Sequence, residues 1–192
     1  MKNLFSTLTL VGALGLAGGA QAALITFDMP GLVEIDPVTN VATYTEQMFT
    51  FSGDAASFLP LDGVGRGGTG GLFVLANAPL RVAPTNGGLF TLSSLDHGTI
   101  DGLISTPPTS LLVEGFLSDN TLLTELLDLG MQKSFSFTGW TGLASLRFTA
   151  NGDFVLDNLA LTAVPEPASW ALVGLALAGL GWRARRGAVQ GR

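Results

Sequence analysis

The chain has 192 residues, nine Lys and Arg against fifteen Asp and Glu, one His and no Cys, for a formal net charge of −6 at pH 7. The absence of cysteine excludes disulfides and thiolate metal sites. Four bases (Arg66, Arg81, Lys133, Arg147) face fourteen acids between residues 23 and 163, about −10 in all, which disfavours nucleic acid and anionic lipid as partners and suits a neutral sugar or a divalent cation.

In chain order, Lys2 is a one-charge leader, Leu4 to Ala17 is mostly apolar, and Ala20-Gln21-Ala22 fits the small-x-small rule of signal peptidase. Residues 1–22 read as a secretory signal peptide cut after Ala22, so that the mature chain begins at Ala23 beyond the cytoplasmic membrane. Residues 23–163 are enough for one domain.

That body alternates apolar and polar residues between turn signals. Strands are predicted at Leu24–Asp28, Val41–Thr45, Met48–Ser52, Leu72–Ala76, Leu89–Leu95, Ser110–Leu117, Thr121–Leu127, Ser134–Thr138, Leu143–Thr149 and Phe154–Thr162. Leu122 to Leu129 has leucines at helical as well as strand spacing, and Thr121 and Thr124 favour the strand. Nine or ten short strands and little helix imply an all-β sandwich. Phe135, Phe137, Phe148 and Phe154 are predicted core.

Few of the body's residues point to chemistry. Gly63 to Gly71 contains GxGxxG, but no convincing strand–helix context accompanies it, and a flexible surface loop is expected. Asn151-Gly152-Asp153 reads as a tight hairpin turn. His97, the only histidine, follows Asp96 but has no nucleophile elbow beside it, so a turn histidine before Gly98 is expected. Nothing marks out one pair among the fourteen acids as a glycosidase pair. No catalytic residue is predicted, and the protein is not expected to be an enzyme. Trp140 lies in a Gly-bounded turn, which suggests partial exposure. Its ring either caps the core between the sheets or, as the candidate sugar contact, stacks on a pyranose.

The C-terminal region is the most specific. Val164-Pro165-Glu166-Pro167 is followed by an apolar run, Ala168 to Trp182, and then by Arg183, Arg185 and Arg186. The run is roughly 22 Å long as a helix, short for a bilayer core of about 30 Å. Trp170 and Trp182 near its ends favour the interface, and the arginines extend its reach. It has no polar face for water, which disfavours a buried helix of a soluble domain. The two prolines hold an extended segment ahead of it. Arginines at the far end keep that end inside, in agreement with the signal peptide.

Val164 to Arg186, VPEPASWALVGLALAGLGWRARR, resembles the PEP-CTERM sorting signal of Gram-negative bacteria. The resemblance divides residues 164–186 into motif (164–167), transmembrane helix (168–182) and basic cluster (183–186), with a short cytoplasmic tail at 187–192. It implies general secretion, transient anchoring in the inner membrane and processing by an exosortase, in bacteria that make exopolysaccharide, biofilm or floc. Phe90–Gly98, Leu111–Phe116 and Phe137–Leu161 resemble the jelly-roll ectodomain common among such proteins, itself similar to carbohydrate-binding modules. In sugar-binding jelly rolls the first and last strands run side by side and hold a structural calcium. That resemblance nominates Asp28 and Asp157 as ligands of a structural Ca2+, against carboxylates that simply bond backbone N–H groups.

The sequence thus reads as an exported, exosortase-sorted surface or extracellular-matrix protein with a structural or adhesive role beside exopolysaccharide. The alternative is a carbohydrate-binding module with a defined glycan, and the last reading is a polysaccharide-active enzyme.

Overall fold

The computed structural model describes residues 21–28, 31–98, 107–129 and 133–164. Alternation sets the strands. In Phe49–Asp54, Phe49 and Phe51 turn inward and Thr50 and Ser52 outward, as the period of two requires. Among the described residues there are thirteen strands and no helix: β1 (Gln21–Ile25), β2 (Glu34–Ile35), β3 (Val41–Glu46), β4 (Phe49–Asp54), β5 (Phe58–Leu61), β6 (Gly71–Val74), β7 (Leu80–Pro84), β8 (Leu89–Gly98), β9 (Ser110–Leu117), β10 (Leu122–Asp128), β11 (Lys133–Ser136), β12 (Leu143–Ala150) and β13 (Phe154–Val164).

All pairings are antiparallel and fall into two groups. β12 is flanked by β7 and β9, giving one sheet in the order β2-β3-β4-β7-β12-β9-β10. β13 is flanked by β8 on one edge, and by β6 and then β1 along the other. The second sheet is β11-β8-β13-β6-β5, with β1 beside the C-terminal half of β13. A single pair, Leu143 with Phe90, joins the two groups.

The two sheets face each other across one apolar core. Phe49 of β4 meets Phe90 of β8 edge-on at 5.4 Å, and Phe27, just after β1, meets Phe51 of β4 at 5.3 Å. Leu80, Val82, Leu111, Val113, Leu146 and Phe148 line one inner face, and Leu72, Val74, Leu92, Phe154, Leu156 and Leu159 the other. The chain crosses between the sheets repeatedly, which gives a jelly-roll-like β-sandwich. Residues Gln21–Val164 form one compact unit.

Three strands go beyond the expected set: β2, β5 and β7. Pro60 and Pro84 argue against strand in the sequence. Pro60 is tolerated because β5 is an edge strand, paired only with β6, and Pro84 is the last residue of β7. Leu122–Asp128 is a strand, paired with β9 across the turn at Asn120. Asn151-Gly152-Asp153 is not a hairpin turn. It carries the chain from β12 in one sheet to β13 in the other, and Asn151 Oδ1 accepts from the N–H groups of Thr109 and Ser110 instead. Phe137, Phe148 and Phe154 are buried, and Phe135 is half-buried against the core.

Candidate functional site

The first and last strands lie side by side, from Gln21 opposite Ala163 to Ile25 opposite Leu159. Just past the end of this pairing, β13 is covered on both faces. Phe154 and Leu156 point into the main core, while Val155 packs on its other side against Val64 from the glycine-rich loop between β5 and β6. That loop is fastened down. Asp157 is fully buried, and its Oδ2 accepts from the Arg66 N–H at 2.8 Å and the Thr69 hydroxyl at 3.0 Å. Asp28 Oδ1 accepts from the Gly70 N–H at 2.8 Å. The Asn158 amide donates to Asp157 Oδ2 and to Asp96 Oδ2, and the Arg66 guanidinium reaches Asp96 and the Ser134 hydroxyl.

This clamp has identifiable costs. Burial pushes the Asp157 carboxyl above its ordinary value of 3.8, against the N–H groups of Arg66 and Asn158, which favour the charge. Phe27 (φ 55°) and Asn158 (φ 45°) adjoin the two clamp carboxylates in the left-handed region. The glycines are required by close approach. A Cβ on Gly70 would lie 2.0 Å from the Phe27 carbonyl oxygen, and one on Gly65 2.7 Å from Asp157 Oδ2. The expected flexible surface loop is therefore corrected: at Gly65 and Gly70 the run is a tight cover held by three carboxylates. Both nominated calcium ligands, Asp28 and Asp157, reach this one loop. Among the described residues, no group of three or more His, Asp or Glu is disposed to hold a metal.

His97 is not a turn residue. It lies in β8 and is 1% exposed, with Nδ1 3.3 Å from the Val155 carbonyl. Its Nε2 has no partner among the described residues, and burial holds the imidazole below its ordinary 6.5. Asp96 is engaged by Arg66 and Asn158, so no Asp–His dyad forms with it. Trp140 takes the core-capping place, one of the two readings open to it. At 7% exposure it belongs to the core, edge-on to Phe137 at 5.1 Å. A Cβ on Gly115 would meet its ring at 2.9 Å, so the missing side chain on β9 makes room for the indole.

The outer face of the larger sheet has a different character. Registers align one row across all seven strands: Glu34, Thr43, Ser52, Arg81, Arg147, Glu114 and Thr124. Arg147 grips Glu114 with Nε at 2.6 Å and Nη2 at 2.7 Å, and its guanidinium lies 5.3 Å from the centre of the Phe116 ring. The arginine holds the Glu114 carboxyl below its ordinary range. Alternation alone does not single out this row, because it depends on the register of seven strands.

Of the sorting residues, Ala22 lies in β1 opposite Thr162, and Val164 ends β13 opposite Leu89. Ala20, Pro165, Glu166, Pro167, Arg183, Arg185 and Arg186 lie outside the described residues, as does the predicted transmembrane helix 168–182. Among the described residues no helix is long and apolar enough to cross a membrane.

Residues 163–186 match the model of the PEP-CTERM protein-sorting motif. No curated protein matches the chain. Among solved structures, the chain is similar to the CBM22-1-GH10 modules of a Clostridium thermocellum endo-1,4-beta-D-xylanase complexed with xylohexaose. Identity is 12% and the TM-score 0.40, over 73% of this chain and 28% of that one. It is similar to the CBM22-1 xylan-binding domain from Paenibacillus barcinonensis (11% identity, TM-score 0.38, 78% of this chain and 97% of that one). It is also similar to TmCBM61 in complex with beta-1,4-galactotriose (11% identity, TM-score 0.38, 62% and 88%). No residue role is carried from these structures to this chain.

Proposed function

We propose that this chain is an exported surface or extracellular-matrix protein, delivered by its PEP-CTERM motif to an exosortase, with a structural or adhesive role beside exopolysaccharide. The observation that carries the proposal is the sorting motif at 163–186, which follows directly on a sandwich whose last strand ends at Val164. In this reading, signal peptidase and the secretion machinery handle residues 1–22, and the helix at 168–182 anchors the chain in the inner membrane until processing. Replacing Pro165-Glu166-Pro167 by Ala-Ala-Ala in the native cells tests it. The body should then accumulate in the membrane fraction and be lost from the surface or medium. Unchanged delivery would overturn the proposal.

A second reading, a carbohydrate-binding module, is favoured by the outer face of the larger sheet. Thr43, Ser52 and Thr124 share a row with two arginines there, a surface of hydroxyls and guanidinium groups suited to sugar hydroxyls. Calcium belongs to the proposal as an aid to the clamp. Asp28 and Asp157 carry hard carboxylate oxygens of the kind that ion takes, which would have to exchange the N–H and hydroxyl donors they now hold for it. Added calcium should raise the melting temperature and EDTA should reverse the rise. An unchanged melting temperature would leave hydrogen bonds as the whole of the clamp.

A further inference from the structure

We infer that the outer face of the larger sheet binds an acidic glycan, with Arg81 as the group that takes the sugar carboxylate. This rests on the reading of that face as a glycan-contact surface, and adds the charge class of the ligand.

Arg81 on β7 lies directly opposite Arg147 on β12, and like charges in that position repel. One of the two is answered within the fold. Arg147 spends Nε and Nη2 on Glu114 across the other edge of β12, and it sits by the Phe116 ring. Arg81 is not answered. It is exposed, and it has no hydrogen bond or ion pair among the described residues. On its far side the register places Ser52 and then Thr43, both neutral hydroxyls. The chain has thus set two of its body's four bases side by side, with the carboxylate of Glu114 on the far side of Arg147 and bonded to it alone.

A guanidinium pairs with a carboxylate through two parallel N–H bonds, a geometry that a lysine or a hydroxyl does not offer. Here the fork of Arg81 stands on rigid strand backbone, beside an arginine already held in place. The row from Glu34 to Thr124 crosses seven strands, roughly 29 Å at the usual spacing. That is room for several sugar units lying across the strands, with hydroxyl side chains at Thr43 and Ser52 beside the cation and Thr124 at the far edge. The acidic character of the rest of the body does not prevent this. At physiological ionic strength charges are screened beyond about 8 Å, so Arg81, the cation left over beside the Arg147–Glu114 pair, decides the sign of a contact made on top of it. The two remaining bases do not compete. Arg66 is tied to Asp96, and Lys133 lies in β11 of the other sheet.

The test uses the full chain in mild detergent, titrated with polygalacturonate and alginate, with methyl-esterified polygalacturonate and xylan as uncharged counterparts. The expected result is binding of the polyuronates, weakened by salt, with the esterified polymer bound at least tenfold less tightly. Arg81→Gln should lower the polyuronate affinity about tenfold without lowering the melting temperature. Equal binding of charged and uncharged polymers, or an Arg81→Gln variant that binds polyuronate like the parent, overturns the acidic-ligand inference and leaves the glycan-contact reading standing. Failure to bind any of the four polymers overturns both.

Discussion

Gly70 has no room for a side chain, because its α-carbon passes against the backbone at Phe27 and Asp28. Gly70→Ala should therefore destabilise the protein by about 1–3 kcal/mol, the usual cost of overpacking. Gly67 lies in the same loop with nothing within 4 Å of its Cβ position, and Gly67→Ala should cost only the strain of its positive φ, about 1 kcal/mol. Urea denaturation of the two variants measures the difference, and equal losses would mean that the loop is not seated as described. His97 gives a second expectation. Unfolded, it takes a proton near 6.5, whereas the buried imidazole resists one. The unfolded state then binds more protons as pH falls below 6.5, so this contribution is full above that value and is lost as pH drops through the folded value. Stability should decline as pH falls below about 6.5, and His97→Gln should remove most of that slope. Asp157 acts in the opposite sense. With its carboxyl pushed up, its contribution is full below 3.8 and is lost as pH rises through the folded value. The sequence pointed to Asp28 and Asp157 as special. Their shared partner, the backbone of the glycine loop, was not legible, because Arg66 and Asp157 are 91 positions apart.

Strand periodicity carried most of the element-level reading. Ser110–Leu117 was recovered residue for residue, and Leu122–Asp128 resolved to strand because β9 is waiting beside it. β5 and β7 were missed where proline masked the pattern, and local pattern could not show that Pro60 would sit on an open edge. Two connections between the sheets are hidden from local pattern for a related reason. Gly139-Trp140-Thr141-Gly142 and Asn151-Gly152-Asp153 look like surface turns between neighbouring strands, yet each joins one sheet to the other. A residue in such a crossing can face the core, and Trp140 does. Trp140→Ala should cost about 3–5 kcal/mol, as for a large aromatic removed from a packed interior. Calorimetry checks this. A variant with parental stability would return Trp140 to the surface as a candidate sugar contact.

At the scale of the whole molecule, the ends and the body carry separate information. The sorting motif was readable because its parts must occur in a fixed linear order: extended prolines, apolar run, basic stop. The outer face of the larger sheet is assembled by register from seven strands spread between Glu34 and Arg147, so nothing local in the sequence announces it. What the body contributes to the sorted product is a sandwich that begins beside the place where it ends, with Gln21 opposite Ala163. Cutting after Ala22 leaves Ala23 and Ile25, the two buried residues of β1, attached to the mature chain. A C-terminal cut at or beyond Pro165 leaves all of β13 in place. Both processing events are then compatible with a folded body. Intact-mass analysis of the protein recovered from its native cells tests the account most directly. It should show a chain beginning at Ala23 and ending at or after Pro165, short of the basic cluster at Arg183–Arg186. A mass equal to the unprocessed chain from Met1 to Arg192 would contradict it.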